Sequence, residues 1–497
     1  MYTVRWLNPI ELAEYDYTGE IRRKVENWPK VASFAPVSQF YDCSPEDGMN
    51  FIRVHDDRLE NTKHQAYIAY DRETYSKYGR QGGTVPLADL KQVLLPYYER
   101  AEFHPTMHPA LLAGRDFLIS WIKDLIRKYG YPQLRPSCIR GTYSGCPLGG
   151  KKGSFDAETL LGNSAHALPA VPGVRIMRNS IRAIFMIPNQ AIHMMGPVLN
   201  GMKDFLVTYL PQLFDGWRNP AITMHTRIQN AVDRGWASLE LDYIKMDQGF
   251  ILWVFHNVIL PIYEVAFPQN YISFAYAVEE AFSRPLFFGD ALWEGTHSLF
   301  SGEPFTNDFE TIYTVVKVIG ALLISHKFYS PFTLVANGDD MTLLVKSLRT
   351  ADKVYHICSD IAASTGMFIH ELGDKTRLVQ HDSRFCRHVY YVGGIRNPNP
   401  GTYPAILAMN NILQPERPQS NPGIAAVADL ARLDGCANVP YFTEMLQYLR
   451  SHSTHKFVIS EEDVDNYNNI SDWWARLYGT KWSPDSSIAW NTMQHLS

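Results

Sequence analysis

The chain has 497 residues, of which 46% are hydrophobic and 20% are charged, and this composition excludes a disordered or fibrous protein. Its net charge of −5 and pI of about 6.4 exclude a generally basic surface, so a polyanion would need a local basic channel. No segment is apolar enough to predict a membrane span, and the N-terminal sequence predicts no signal peptide. The six cysteines have no C-x-x-C spacing, so neither a zinc site nor a disulfide framework is predicted.

The first part of the chain mixes short elements with loops. Residues 1–100 are rich in Tyr and are interrupted by Gly-Gly-Thr-Val-Pro at 82–86. The apolar periodicity of 110–127 predicts a helix, and a Gly-, Pro- and Lys-rich stretch then extends over 132–153.

Two motifs in this region imitate functional sites. His104 and His108 have a spacing seen in zinc sites, but Pro105 breaks the helix that such a site needs. The segment 145–152 nearly matches the phosphate-binding loop of NTPases. Lys152 replaces the hydroxyl residue that would contact Mg²⁺, so an NTPase loop is excluded.

Positive charge is concentrated between residues 139 and 182. This stretch has six basic residues against two acidic ones, a local balance of +4. An apolar run follows the last arginine, and a strand there would fix the position of its side chain. The basic residues are Arg140, Lys151, Lys152, Arg175, Arg178 and Arg182.

The sequence W-A-S-L-E-L-D at 236–242 predicts a strand that ends at Asp242. The two leucines lie on one face of this strand, and Glu240 and Asp242 lie on the other. Asp247 follows just past a turn into an apolar helical pattern. An N-cap aspartate with an exposed neighbour would produce the same spacing, so this pair alone is not specific.

The segment S-G-E-P-F-T-N at 301–307 precedes an apolar run, 312–324, that predicts a long buried helix. Its Ser-Gly pair supplies a flexible turn, and its proline suits the first turn of the helix. Thr306 and Asn307 then lie on the first helical turns, where ordinary capping would also place such residues.

Gly338, Asp339 and Asp340 lie between two β-prone apolar runs. Asn337-Gly338 predicts a tight hairpin, because both residues tolerate the positive φ that such turns require. Two adjacent carboxylates would then stand at the tip of the hairpin. A divalent metal is the obvious cation to relieve their repulsion, and a solvated acidic turn is the alternative.

The order of these motifs is more informative than any one of them. Asp242 and Asp247, then 301–307, then Gly-Asp-Asp, span about one hundred residues of strand, helix, helix and hairpin. This arrangement closely resembles motifs A, B and C in the palm of viral RNA-dependent RNA polymerases. With S-G-x-P-F-T-N and the upstream R-x-x-Y-S-G…G-K-K-G, the chain looks most like the picobirnavirus polymerases, and next most like those of partitiviruses.

Further motifs downstream extend the resemblance. The segment 366–375 looks like motif D, which implies that Lys375 protonates the leaving pyrophosphate as a general acid. A surface lysine in a loop is the equal alternative. The segment F-C-R-H at 385–388 resembles the motif E turn, which grips the priming strand.

Upstream, Arg178 and Arg182 resemble motif F, the basic strand of the fingers that covers the triphosphate of the incoming nucleotide. A serine stands where a second basic residue is common, so Arg175, Arg178 or Lys152 would supply that charge. The resemblance also implies that the loop with Lys151 and Lys152 contacts template or nucleotide phosphates, although a plain turn is nearly as good an interpretation.

The resemblance implies an α+β right-hand polymerase with fingers, palm and thumb. An antiparallel palm sheet would be backed by helices, and an N-terminal extension would close the hand. The implied parts are an extension bridging fingers and thumb (1–100), fingers (101–235), palm with motif A (236–265), a return to the fingers (266–295), palm with motifs B to E (296–395), and thumb with the C-terminal segment (396–497).

The implied activity is RNA-directed RNA synthesis by two-metal nucleotidyl transfer, for genome replication and transcription of a double-stranded RNA virus. Asp242 and Asp339 would bridge two Mg²⁺ or Mn²⁺ ions, with Asp340 as a secondary ligand. The implied partners are template and nascent RNA, nucleoside triphosphates and the viral capsid protein. The implied locations are the virion interior and the host cytoplasm.

The resemblance also assigns the sugar-binding residues. Asp247 and Asn307 would hold the ribose 2′-hydroxyl, Thr306 would support that contact, and the loop of Ser301 and Gly302 would flex during translocation. Reverse transcriptases lack this Ser-Gly…Thr-Asn pattern. The competing hypothesis is a catalytically inactive palm that serves as an RNA-binding scaffold on a capsid.

Overall fold

The computed structural model describes residues 2–136, 144–150, 154, 168–178, 180–218, 222–397, 399–467 and 482–496. The basic residues Lys151 and Lys152, singled out in the sequence, lie outside the described residues. Across the described part of the chain, no helix is long and apolar enough to cross a membrane.

The described strands are short and almost all antiparallel to their neighbours. In chain order they are β1 (Thr3–Trp6), β2 (Val171–Met177), β3 (Ser180–Met186), β4 (Ala237–Leu241), β5 (Leu286–Phe287), β6 (Ala291–Glu294), β7 (Phe332–Asn337), β8 (Asp340–Val345), β9 (Arg377–Gln380), β10 (Asp382–Phe385) and β11 (His388–Tyr391).

Helices make up most of the remaining regular structure. The longer α-helices are Pro45–Arg58, Gln65–Glu73, Leu87–Glu99, Pro109–Tyr129, Asn189–Tyr209, Ile222–Asp233, Tyr271–Ala281, Thr306–Ile324, Leu348–Thr365, Ala405–Leu413, Pro422–Asp434, Phe442–His452 and Ile488–His495. The shorter ones are Pro9–Tyr15, Glu20–Glu26, Pro211–Phe214, Met246–Gly249, Leu252–Val254, Leu260–Ala266 and Glu461–Asn466, with a π-helical stretch at Phe255–Ile259 and 3₁₀ turns at Thr74–Lys77, Arg100–Glu102, Asp215–Arg218 and Pro484–Ser486.

A four-stranded sheet with the order β7-β8-β4-β9 forms the centre of the fold. Its strands are antiparallel throughout, and every residue of β4 is buried, as expected for a central strand that is covered on both faces. The α+β class predicted from the sequence is therefore observed, with an antiparallel sheet at its core.

The helix Thr306–Ile324, here called the central helix, packs behind this sheet. Nearly all of it is buried, which confirms the helix predicted from the apolar run. It also contacts the helix Pro109–Tyr129 closely: a Cβ atom added to Gly320 would lie 1.9 Å from the Ala110 carbonyl oxygen. Glycine is required there because the two backbones touch.

A second hydrophobic core joins the N-terminal helices to the C-terminal ones. Its members come from both ends of the chain, for example Ile52 and Tyr67 with Leu430 and Leu446. Tyr441 adds a polar link by donating a hydrogen bond to Asp56 at 2.8 Å. This core also includes Val389 and Tyr391 of β11, so both ends of the chain pack against that strand.

Two local predictions need correction or refinement. The helix predicted at 110–127 is found as Pro109–Tyr129, and His108 caps its N-terminus by accepting a hydrogen bond from the Ala110 N–H at 3.1 Å. The central helix begins at Thr306, so Pro304 lies before it in a turn and not in its first helical turn. The Ser-Gly loop therefore extends two residues further than predicted, and within it Glu303 is buried in an ion pair with Arg284 at 2.9 Å.

Candidate active site

The ends of two neighbouring strands bring the predicted metal ligands together. β4 pairs with β8 so that Leu241 lies opposite Met341. Asp242 directly follows β4, and Asp340 is the first residue of β8, so the two aspartates stand at the same end of adjacent strands. Such strands lie about 4.8 Å apart, which puts both carboxylates within reach of one small ligand.

The turn of the Gly-Asp-Asp hairpin lies one residue later than predicted. Asn337 pairs with Asp340, so the two-residue loop is Gly338-Asp339, and in this loop only Gly338 has a positive φ, at 63°. Positive φ at the first loop residue alone is typical of a type II′ turn. The predicted Asn337-Gly338 turn was wrong because Asn337 stays in the strand, where its amide lies 3.8 Å from the Cys386 sulfur.

The central helix holds this turn from below. The Thr311 hydroxyl accepts a hydrogen bond of 2.8 Å from the Gly338 N–H. A Cβ atom on Gly338 would lie 2.7 Å from Asn307 Oδ1 and 3.4 Å from Glu310 Oε2. Glycine is therefore needed here both for its φ and for the close approach of the helix.

Burial, with the charges of neighbouring acids, raises the pKa of two of these carboxylates. Burial raises the pKa of Asp340 to about 6, and the charges of Asp339 and Asp242 add to this effect while Arg387 opposes it. Burial also raises the pKa of Asp242, where Lys375 and His370 oppose the shift and Asp339 adds to it. Both side chains still reach solvent, so they line an open cleft between protein walls.

This donor set fits hard divalent cations. Carboxylate oxygens are the ligands that Mg²⁺ and Mn²⁺ prefer, and a bound cation would relieve the mutual repulsion. Among the described residues, no three acidic, His or Cys side chains already surround a common point. An open arrangement is expected where Mg²⁺ takes one or two carboxylates and completes its shell with substrate phosphates and water.

Asp247 lies on the short helix Met246–Gly249, beside the same cleft. Its Oδ2 accepts a hydrogen bond of 2.5 Å from the Tyr97 hydroxyl. Burial raises the pKa of Asp247, and this hydrogen bond opposes the shift. Tyr97 comes from the helix Leu87–Glu99, about 150 residues away, and no local pattern in the sequence indicated its role.

The segment before the central helix is tied to the hairpin β2–β3. Ser301 donates a hydrogen bond of 3.2 Å to the Ala183 carbonyl, and a Cβ atom on Gly302 would lie 1.8 Å from the Phe185 carbonyl oxygen. The Thr306 hydroxyl bonds back to the Phe300 and Glu303 carbonyls at 2.9 and 3.0 Å. Thr306 thus holds the loop, and its support of the sugar contact stays a prediction.

Two further side chains at the site were missed from the sequence. Glu310, one helical turn after Asn307, is buried, and burial followed by the charges of Asp339 and Asp247 raises its pKa well above the usual range. His370 lies between two predicted residues, with Nε2 3.6 Å from Asp242 Oδ1 and 3.3 Å from Lys375 Nζ. The structure thereby places Lys375 next to Asp242, through a histidine.

The three arginines of hairpin β2–β3 act in different places. Arg182, on β3, opposes the burial-driven rise in the pKa of Asp247 and so lies on that side of the cleft. Arg178, at the turn with φ of 50°, instead has Tyr403 and Arg387 as neighbours. Arg175 is engaged in an ion pair with Glu416 at 2.9 Å.

The segment 385–388 forms the predicted turn. β10 and β11 pair as a hairpin, and both loop residues have positive φ, 46° for Cys386 and 65° for Arg387. This is the pattern of a type I′ turn. The cleft is therefore bounded by the ends of β4 and β8, the turn of hairpin β2–β3 and the turn of hairpin β10–β11.

Comparisons with known proteins identify the fold. No family model and no curated protein matches the sequence. The crystal structure of the RNA-dependent RNA polymerase of a human picobirnavirus is similar with a TM-score of 0.77 and 14% identity, covering 99% of this chain and all of that one. The insertion-loop deletion mutant of such a polymerase has a TM-score of 0.79 and 15% identity, with the same coverage. The chain has the fold of the picobirnavirus RNA-dependent RNA polymerases.

Proposed function

We propose that this protein is a viral RNA-directed RNA polymerase. The observation that carries the proposal is the meeting of Asp242 with Asp339 and Asp340 at one edge of a sheet whose fold is that of known polymerases. Their mutual repulsion, together with Asp247 and Asn307 nearby, supports a metal-dependent reaction on ribonucleotides.

Each group has a defined task in this reaction. Asp242 and Asp339 would hold two Mg²⁺ or Mn²⁺ ions, with Asp340 as the secondary ligand. Such ions lower the pKa of an attacking 3′-hydroxyl and stabilise charge on the pyrophosphate that leaves. Asp247, oriented by the Tyr97 hydroxyl, accepts a hydrogen bond from the ribose 2′-hydroxyl, to which the Asn307 amide can donate.

Proton transfer to the leaving group is assigned to Lys375. Its Nζ lies 3.3 Å from His370 Nε2, and His370 in turn contacts Asp242 and Asp374. His370 therefore holds Lys375 beside the place of the reacting phosphates. Within the described residues, no ion pair with a carboxylate neutralises the charge of this lysine. A general acid needs this placement near the bond that breaks.

We assign the remaining parts of the hand as the sequence predicts. The central sheet and central helix are the palm, hairpin β2–β3 belongs to the fingers, and the C-terminal helices are the thumb. The N-terminal extension contacts both sides, since β1 pairs with β6 while Asp56 contacts Tyr441. We further propose that the enzyme copies genome segments inside a capsid and in the host cytoplasm, with the capsid protein as a partner.

The test is template-directed incorporation of labelled nucleotides with Mg²⁺ or Mn²⁺. Asp339→Ala should lower the rate more than about 100-fold, because a metal ligand is lost. Asp360→Ala, an exposed acid on the helix Leu348–Thr365, serves as the control and should keep the wild-type rate. Full activity of Asp339→Ala would refute the site, and a wild-type protein that binds RNA without incorporation would favour the inactive scaffold.

A further inference from the structure

Lys317 is a buried lysine of the central helix, and the proposed mechanism does not use it. Its side chain is fully buried, and within the described part of the chain it forms no ion pair with a carboxylate. A buried ammonium group without an acid is costly, whereas a methionine would fill a similar space without that cost. Packing alone therefore does not account for a lysine at this position.

The contacts of Lys317 converge on the side chain of Tyr243. Lys317 Nζ donates a hydrogen bond to the Tyr243 hydroxyl and lies 4.2 Å from the centre of that ring, within the range of a cation–π contact. The Thr314 hydroxyl lies 3.0 Å from the same Tyr243 oxygen. Burial lowers the pKa of Lys317 to about 8, so the amine stays mostly protonated at pH 7. Two residues of the central helix thus hold the tip of one tyrosine.

Tyr243 directly follows the candidate metal ligand Asp242. Tyr243 is buried whereas Asp242 is exposed to the cleft, so the two side chains point to opposite sides of the chain. The backbone at this point is also held, because the His370 N–H donates a hydrogen bond of 2.9 Å to the Asp242 carbonyl. A tyrosine anchored on the buried side therefore fixes the direction in which the preceding carboxylate points.

The pairing of β4 with β8 ends just before the candidate metal ligands. Leu241 and Met341 are the last paired residues, so Asp242 and Asp339 both lie beyond the ladder. Hydrogen bonds between these two strands therefore do not set the separation of the two carboxylates. That separation matters for two-metal chemistry, in which the ions lie about 3.5–4 Å apart.

The central helix contacts both sides of this gap. The Thr311 hydroxyl accepts a hydrogen bond of 2.8 Å from the Gly338 N–H, beneath the tip of the Gly-Asp-Asp hairpin. Thr314 and Lys317 follow at intervals of three residues, which places them next along the same side of the helix, and they hold Tyr243. One helix thus supports both halves of the candidate metal site.

We propose that Lys317 is a positioning residue for nucleotidyl transfer, and this inference rests on the proposed function. Through the Tyr243 hydroxyl, it holds Asp242 at the distance from Asp339 at which both carboxylates bind the same pair of divalent ions. Because it is fully buried, Lys317 itself contacts neither metal nor nucleotide. Its loss should weaken metal binding and slow the chemical step while leaving the fold intact.

The test separates metal binding and catalysis from folding. It compares wild type, Lys317→Met, Tyr243→Phe, the double variant and the control Lys327→Met, which alters an exposed lysine just beyond the same helix. Three measurements are made on each protein. They are the Kd of Mn²⁺ by electron paramagnetic resonance without nucleotide or RNA, the kcat and KM of nucleotide incorporation at saturating Mn²⁺, and the midpoint of urea unfolding in EDTA.

Lys317→Met should raise the Kd of Mn²⁺ and lower kcat, each by about tenfold, as found for residues that orient metal ligands. The KM of the nucleotide should change much less than kcat. The midpoint of urea unfolding should stay the same or rise, because an apolar side chain of similar size replaces a buried charge. The control Lys327→Met should match wild type in all three measurements.

The second variant tests the same contact from the other side. Tyr243→Phe should lower kcat as much as Lys317→Met does, but it should also lower the midpoint of urea unfolding, because the ammonium group is then buried without its acceptor. In the double variant the midpoint should recover, while kcat should fall no further than in either single variant, since both substitutions remove one contact.

Two results would overturn the positioning role. One is a Lys317→Met protein that keeps the wild-type Kd of Mn²⁺ and the wild-type kcat. The other is a midpoint of urea unfolding that falls together with activity in Lys317→Met and in the double variant, since Lys317 would then serve the fold alone. A wild-type protein that binds Mn²⁺ but incorporates no nucleotide would refute the proposed function, and the Mn²⁺ affinities would still test the placement of Asp242.

Discussion

Asp340→Asn should stabilise the metal-free protein at neutral pH, because it removes a carboxylate whose charge is opposed first by burial and then by the charges of Asp339 and Asp242. The pKa of Asp340 is raised from 3.8 in an unfolded chain to about 6 in the folded one. A carboxyl with a raised folded pKa destabilises the fold once it ionises. The penalty is therefore absent below pH 4, grows between pH 4 and pH 6, and is complete above about pH 6.

The size of this effect follows from the shift. Two pKa units correspond to roughly 3 kcal/mol, but the side chain is accessible from the cleft, and solvent screening reduces the penalty to about 1 kcal/mol. In a chain of 497 residues this corresponds to a rise in Tm of about 1–2 °C. Bound Mg²⁺ or Mn²⁺ would reverse the sign, because wild type then has one more ligand than the variant.

Calorimetry in EDTA at pH 5 and pH 8, and then with millimolar Mn²⁺, measures both effects. Asp340→Asn should have a higher Tm than wild type at pH 8, and this difference in Tm should be smaller at pH 5. Mn²⁺ should raise the Tm of wild type more than that of the variant. Asp360→Asn is the matched control for loss of one exposed carboxylate. A gap of the same size at both pH values would refute the electrostatic reasoning, because packing alone would then explain it.

Three further tests address separate parts of the molecule. Gly338→Ala should lower the free energy of unfolding in urea by about 1–2 kcal/mol, because position 338 has a φ of 63°. The added methyl group should also displace Asn307 and so lower nucleotide incorporation, and wild-type activity would contradict this. Asp247→Ala or Asn307→Asp should weaken the preference for NTPs over dNTPs in competition assays, and unchanged selectivity would remove the 2′-hydroxyl role. Arg284→Met should lower the free energy of unfolding in urea by about 3–5 kcal/mol, because it leaves Glu303 buried without the guanidinium that lies 2.9 Å away in wild type. The double variant with Glu303→Gln should recover part of this loss.

Local pattern was sufficient for the elements that carry the motifs. The strand ending at Asp242 was predicted from the alternation of its residues, and the central helix was predicted from a long apolar run. Burial imposes both patterns directly. The turn before Asp340 was misplaced by one residue because Asn-Gly and Gly-Asp both suit a two-residue loop. Strand pairing chose between them, with Asn337 opposite Asp340.

The residues that the sequence did not reveal reach the site from distant segments. Tyr97 belongs to an N-terminal helix whose own periodicity concerns only its packing, and Glu310 looks like any other position of a buried helix. Arg178 and Arg182 looked equivalent because they are four residues apart. Arg178 lies in the turn of hairpin β2–β3 and Arg182 lies on the strand after it, so the two have different neighbours, which spacing alone does not encode.

The type II′ turn gives the two adjacent aspartates unequal positions. Asp339 stands at the tip, and its charge adds to burial in raising the pKa of Asp242, Asp247, Asp340 and Glu310. Asp340 is fixed in β8. The acids that raise its pKa are Asp339 and Asp242. Because the charge of Asp339 acts on every one of these acids, a bound metal relieves the most repulsion by neutralising Asp339. Asp339 should therefore be indispensable, while Asp340 adjusts which metal is preferred and tolerates a neutral isostere better.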